Sequence, residues 1–191
     1  LPSNIKILEN NLIKNRITNV LLVDCLVSDY VGEADFQVPA IKDSGSGFIA
    51  QNQNENTITA QVTTLDEFCS GYSTAIICMD VEGFEFQVLN GALSLINHQR
   101  PAIIVEVNKN YLEKRANISL SEFFEFFISN NYLCYYIGKL GLELVDIKNF
   151  KVRSNKNWLC IPEEHSHLEK KISFSLFVNG INPLFKYFHF K

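Results

Sequence analysis

Ile77-Cys78-Met79-Asp80-Val81-Glu82-Gly83-Phe84-Glu85-Phe86-Gln87-Val88-Leu89-Asn90-Gly91-Ala92 decides how the rest of the chain is read. Its first residues continue an apolar run from Ala75 that has no helical period and stops on a carboxylate, as a buried strand over 75–80 would. From Phe84 the period changes. Phe84, Val88, Leu89, Ala92, Leu95 and Ile96 form one stripe, which predicts a helix over 84–97. Gly91 inside it costs about 1 kcal/mol relative to Ala and admits close packing. A strand that turns through an acid and a glycine into a helix is half of a βαβ unit.

The flanks extend that unit. Pro101 stops the helix, and 102–107 predicts another buried strand finishing at Glu106. Upstream, 20–27 predicts a strand buried on both faces and ended by Ser28-Asp29. A helix over 4–15 precedes it, with Ile5, Leu8, Leu12 and Ile13 on one face and Ser3 or Asn4 as N-cap. Residues 35–38 and 57–62 alternate around loop composition at 43–47, which predicts an antiparallel excursion. Thr64-Leu65-Asp66-Glu67-Phe68 reads as a short helix entry. Ser119 and Glu122 form a capping box ahead of Leu120, Phe123, Phe124, Phe127 and Ile128, and 132–137 and 158–161 read as final strands. The alternation predicts an α/β fold: a mainly parallel sheet with helices on both faces. The domain spans 1–165, and 166–191 is an aromatic tail expected to dock on it.

Composition bounds the function. With 191 residues, 47% apolar, the chain can bury a core without disulfides or metals. A net charge of -4, with no run more basic than Lys170-Lys171, argues against nucleic acid as partner. The five cysteines show no CxxC pair, and Cys25, Cys78 and Cys160 sit in apolar runs where burial is expected, so a reducing, cytoplasmic setting follows. No apolar run reaches the roughly 18 residues of a bilayer span and no leader opens the chain, so no integral membrane association is expected. Position 1 is Leu and the only Met is Met79, which points to removed residues or a fragment.

In open α/β sheets ligands sit beyond the carboxyl ends of the strands. Asp29, Asp80 with Glu82, and Glu106 all fall there. In an extended segment Asp80 and Glu82 point to one side, and Gly83 lets the backbone turn tightly. Any one of these acids alone could be an N-cap or a solvated loop residue; three on one rim favour a site.

The quoted block resembles the Asp-Val-Glu-Gly-Phe/Ala-Glu…Val-Leu…Gly-Ala run of FkbM-type methyltransferases, and Thr64-Leu65-Asp66 and 101–107 resemble its flanking elements, over roughly residues 1–110. The resemblance implies a Rossmann-like class I methyltransferase sheet that binds S-adenosylmethionine and methylates a hydroxyl of a sugar, polysaccharide or natural product. It also implies a missing part. Family members begin with a strand and an Asp-x-Gly-x-x-x-Gly loop, then a second strand ending in Glu-Pro, and neither occurs here. The sheet is therefore expected to lack its first strands, with exposed pairing edges and reduced stability.

By the same resemblance, Ser28 and Asp29 match the turn near the adenine, and Asp80 the position facing the transferring methyl, with Glu82 and Glu106 on the same rim. Methyl transfer is an in-line displacement, so the acceptor oxygen must be aligned and its proton removed; Asp80 is the first choice of base and Glu82 the second. His98 lies at the far end of the helix that leaves the rim, and His165, His167 and His189 lie in the tail, so none is expected to act. Hard cations also favour oxygen ligands, yet two carboxylates beside a loop equally describe complementarity to a sulfonium, and no metal is expected. The partner is a small-molecule or glycan acceptor of open identity, and oligomeric state is open. The alternatives are a metal-dependent glycosyltransferase using Asp80 and Glu82, against which the helix after Gly83 argues, and a non-catalytic module that keeps the sheet alone.

Overall fold

Two sheets carry the chain in a computed structural model that describes residues 2–39, 47–50, 55–138, 141–145 and 156–181. The first has strands β1 (Leu26–Val27), β2 (Gly32–Gln37), β3 (Phe48–Ile49) and β4 (Thr57–Thr63) in the order β1-β4-β2-β3. The antiparallel excursion forms as its alternation predicts, with Gly32 opposite Val62 and Gln37 opposite Thr57. Residues 43–46 of the expected loop lie outside the described residues.

The second sheet has β5 (Ile76–Met79), β6 (Ala102–Val107), β7 (Tyr132–Gly138), β8 (Gly141–Leu144) and β9 (Lys156–Pro162), in the order β5-β6-β9-β7-β8. The expectation of a mainly parallel sheet is corrected: the sheets are mixed. Of the seven strand pairings among the described residues, only β1 with β4 and β5 with β6 are parallel. β7 and β8 form a hairpin, and β9 returns antiparallel between β6 and β7. Among the described residues between β7 and β9 stands only β8, and an antiparallel return needs no crossover helix.

Helices are α1 (Pro2–Lys14), α2 (Leu65–Phe68), α3 (Glu85–Asn90), α4 (Leu93–Gln99), α5 (Lys109–Tyr111), α6 (Leu120–Ser129) and α7 (Glu169–Ile181). A π-helical turn, Leu112–Ala116, follows α5, and a 3-10 segment, Glu163–Leu168, precedes α7. Ile77, Met79, Ile103, Val105, Val107 and Trp158 bury one face of the second sheet together with Val88, Leu89, Leu95 and Ile96 of α3 and α4 and three of the four phenylalanines of α6. Phe123, Phe124 and Phe127 are buried almost completely, each contributing roughly 2–3 kcal/mol through the area taken from water. The capping box opens α6 as expected: Ser119 Oγ accepts the Glu122 N–H at 3.2 Å, and Glu122 Oε2 accepts the Ser119 N–H at 2.9 Å.

The opposite face is covered over Tyr135, Leu142, Leu159 and Ile161 by Ile172 and Leu176 of α7, while Phe174 and Phe177 of that helix stay exposed. Residues 182–191 of the tail lie outside the described residues. Toward β5 that face is open: Ile76 is 62% exposed and Cys78 is exposed too, so β5 is not buried on both faces and Cys78 is not a core thiol. Cys160 is buried as expected, beside Cys134 across the β7–β9 pair, and Cys25 is half-buried.

Other expectations shift as well. The run 20–27 forms strand only at Leu26–Val27, and Val20, Leu21 and Val23 are exposed, because a strand needs a partner and only the last two residues meet β4. The helix expected at 4–15 begins at Pro2, so Ser3 and Asn4 lie within its first turn and are not its caps. The helix expected at 84–97 is two helices. Asp66 takes the Ser94 and Leu95 N–H groups on its two carboxylate oxygens at 2.9 and 2.7 Å and so starts α4 afresh. Gly91 sits at the break, where a Cβ would come within 2.1 Å of the Ser28 carbonyl oxygen, the close packing its glycine predicts.

Candidate functional site

β5 stops at Met79, and the chain then turns through Asp80, Val81, Glu82 and Gly83 into α3. Glu82 is left-handed (φ 54) and Gly83 has φ +99. The segment is therefore not extended through Glu82, and Asp80 and Glu82 come together by the turn, not by strand alternation. Glycine is required at 83 on two counts: its conformation, and the backbone of Tyr111, whose carbonyl carbon and oxygen would lie 2.8 and 2.9 Å from an added Cβ. The Gly83 N–H donates to Oε1 of Glu85 at 3.0 Å. Burial pushes the Glu85 carboxyl up from its usual range, against backbone hydrogen bonds that lower it.

A cavity of about 240 Å3 opens over this turn. Leu26 and Val27 of β1, Phe36 of β2, Phe48 of β3, and Asp80, Val81, Glu82 and Phe84 line it. Partial burial raises the Glu82 carboxyl above its usual range; the neighbouring charge of Asp80 adds to this, Arg115 opposes it, and Glu106 adds a smaller push upward. Arg115 Nη1 donates to the Glu82 carbonyl at 2.5 Å. Its guanidinium lies 4.0 Å from the Tyr111 ring centre and 4.3 Å from that of Phe48, within cation–π range of both.

The structure brings Asp80 and Glu82 to one cavity. Glu106 sits one residue past Val105, the β6 partner of Met79, and acts on Glu82 through its charge without lining the cavity. It stands within β6 opposite Asn157, so that strand does not stop on it. Ser28 and Asp29 follow directly after the wall residue Val27 and do not line the cavity. Ser28 is buried, donates Oγ–H to Asp29 Oδ1 at 3.1 Å and its N–H to the Thr63 carbonyl at 2.9 Å. Asp29 is exposed.

His98 lies exposed on α4, with Nδ1 2.7 Å from the Ser94 carbonyl, away from the acid turn. His165 and His167 are exposed in the 3-10 segment, and His189 lies outside the described residues. Among the described residues no three His, Cys, Asp or Glu side chains are grouped to hold a metal ion, and no helix is long and apolar enough to cross a membrane. Sequence reasoning missed Glu85, Phe48, Tyr111 and Arg115. A π-helical turn has no periodic pattern to announce it, so nothing in the sequence points Arg115 at the turn.

The sequence model of the Methyltransferase FkbM domain matches residues 1–135, from α1 into β7, and takes in the whole cavity wall. The chain belongs to the FkbM methyltransferase family. No curated protein and no solved structure matches it. FkbM membership makes this a methyltransferase domain and sets the Asp80–Gly83 turn inside the family's own stretch of sequence. β8, β9 and α7 lie beyond that stretch.

Proposed function

We propose that this FkbM domain is an S-adenosylmethionine-dependent O-methyltransferase acting on a hydroxyl of a sugar, polysaccharide or natural product. The observation that carries the reading is the cavity at the carboxyl ends of β1 and β5, where two carboxylates face an apolar and aromatic wall. That donor set suits a cation on a largely apolar body, and such a body is what a sulfonium presents. When bound, S-adenosylmethionine supplies an electrophilic methyl group.

The chain's own residues do the rest. Phe36, Phe48 and Phe84 exclude water from the cavity. Asp80, at the end of β5, accepts the proton of the acceptor hydroxyl on a carboxylate oxygen. Glu82, whose proton is held more tightly than usual, orients that hydroxyl, and Glu106 adds negative charge at the same rim. Asp29 accepts a hydrogen bond from the adenine amine, with Ser28 fixing its carboxylate. The five free cysteines suit a reducing, cytoplasmic setting.

Calorimetric titration with S-adenosylmethionine and S-adenosylhomocysteine tests this. The chain should bind both saturably. Asp29→Ala should weaken binding about tenfold, the worth of one lost polar contact. Asp80→Asn, which leaves Glu82 as the remaining carboxylate of the cavity, should weaken binding by a few-fold and, once an acceptor is found, reduce turnover by about 100-fold or more. A well-folded chain that binds neither compound overturns the proposal.

A further inference from the structure

The rings of Phe48 and Tyr111 and the guanidinium of Arg115 join β3 of the first sheet to α5 and the π-helical turn that follows it, some way further along the chain. Among the described residues no carboxylate lies within ion-pair distance of Arg115; its polar contact is the Glu82 carbonyl. A half-buried arginine spent on one carbonyl and two rings needs a reason.

We propose that Arg115 is a positioning residue of the acid site: clamped between Phe48 and Tyr111, it holds the Glu82 peptide and so fixes how the Glu82 side chain meets the cavity. The inference rests on the reading of Asp80 and Glu82 as the polar partners of the acceptor. Three features support it. A left-handed residue other than glycine costs about 1–2 kcal/mol and needs an external hold. The turn's own bond, from the Phe84 N–H to the Val81 carbonyl, is long at 3.3 Å, whereas the charge-assisted bond from Arg115 is short. A flat guanidinium can offer both faces to rings and its edge to a carbonyl at once, which an ammonium cannot do.

The clamp also reaches across the site. Tyr111 is the residue whose backbone forces glycine at 83, and Phe48 is part of the cavity wall. One side chain thus ties the turn that carries the acids to β3 in the cavity wall. The charged groups facing Glu82 are Asp80 from the end of β5, Glu106 from β6 and Arg115 from the π-helical turn, so removing Arg115 leaves Glu82 among like charges only.

Carbon-13 carboxyl NMR of the chain labelled at glutamate tests this without cofactor or acceptor, with Glu82→Gln assigning the Glu82 signal. In Arg115→Ala the Glu82 midpoint should move to higher pH while that of Glu164, which is held by a different arginine, stays in place. Phe48→Leu keeps the wall apolar but removes one face of the clamp, and should move Glu82 in the same direction by less. Arg115→Lys keeps the charge and should give a smaller shift than Arg115→Ala. Should Arg115→Ala fail to fold, the two milder variants decide. An unmoved Glu82 midpoint in variants that melt cooperatively overturns the role of Arg115. That result alongside saturable S-adenosylmethionine binding would spare the proposed function, and a moved midpoint without such binding would support the clamp while overturning the function.

Discussion

Two arginines organise the two ends of β6, and they do so differently. Arg100, just before the strand, is left-handed and is fully engaged: Nε and Nη2 donate to Glu164 at 2.8 and 3.1 Å, and Nη1 and Nη2 donate to the carbonyls of Asn130 and Asn131 at 2.8 and 3.0 Å. Its guanidinium also lies 4.7 Å from the Tyr132 ring centre. Arg115, in the π-helical turn beyond α5, has the carbonyl and the rings but, among the described residues, no carboxylate. At the first corner the charge is cancelled within the fold, and at the second it is left to act on Glu82 beside a cavity. The same chemistry makes a closed lock at one end and an open clamp at the other.

Substitutions can break that contrast, and the largest effect belongs to the open end. Gly83→Ala combines a positive φ with a Cβ at 2.8 Å from the Tyr111 backbone, so a loss of about 3–4 kcal/mol is expected in urea unfolding. A loss below about 1 kcal/mol would mean that the corner is loose and that Arg115 clamps nothing rigid. Arg100→Ala should cost about 2–3 kcal/mol, since it strands two backbone carbonyls, yet leave calorimetric binding of S-adenosylmethionine unchanged. Lost binding in a folded Arg100→Ala would erase the distinction between the ends.

The smallest effect sharpens the contrast by pH. Arg100 holds the Glu164 carboxyl down at about 2, from an ordinary value of 4.5. A carboxylate lowered in the folded state contributes stability that is present above its unfolded value and lost as pH falls from 4.5 through about 2. The pair is half-exposed, so solvent screening keeps the contribution small. Thermal melting between neutral pH and pH 2 should show a slightly steeper acid loss for the natural chain than for Glu164→Gln. Equal slopes would show that the lock holds by its carbonyl bonds alone.

The sequence carried what depends on local pattern. Alternation at 35–38 and 57–62 foretold the β2–β4 pair, the Ser119 and Glu122 spacing foretold a capping box, and Gly91 foretold a close approach, found at Ser28. What it did not carry depends on partners distant in sequence. An apolar run at 20–27 does not say whether a strand lies beside it, and Asp66 divides a continuous apolar stripe into α3 and α4 from 28 residues upstream. The antiparallel return of β9 has no local mark. The acid pair could be read in advance, but the arginine that holds it could not, because its aim is set by an irregular turn.

The chain has one tryptophan, Trp158, on β9. Its indole is fully enclosed, with the Phe124 and Tyr136 rings edge-on at 4.8 and 5.8 Å, and it does not line the cavity. The one indole thus stands in the middle of the packed sheet and away from the proposed site. Tryptophan emission from this protein is a gauge of whether the interior is dry, red-shifting when β9 meets water, and it reads folding separately from whatever enters the cavity.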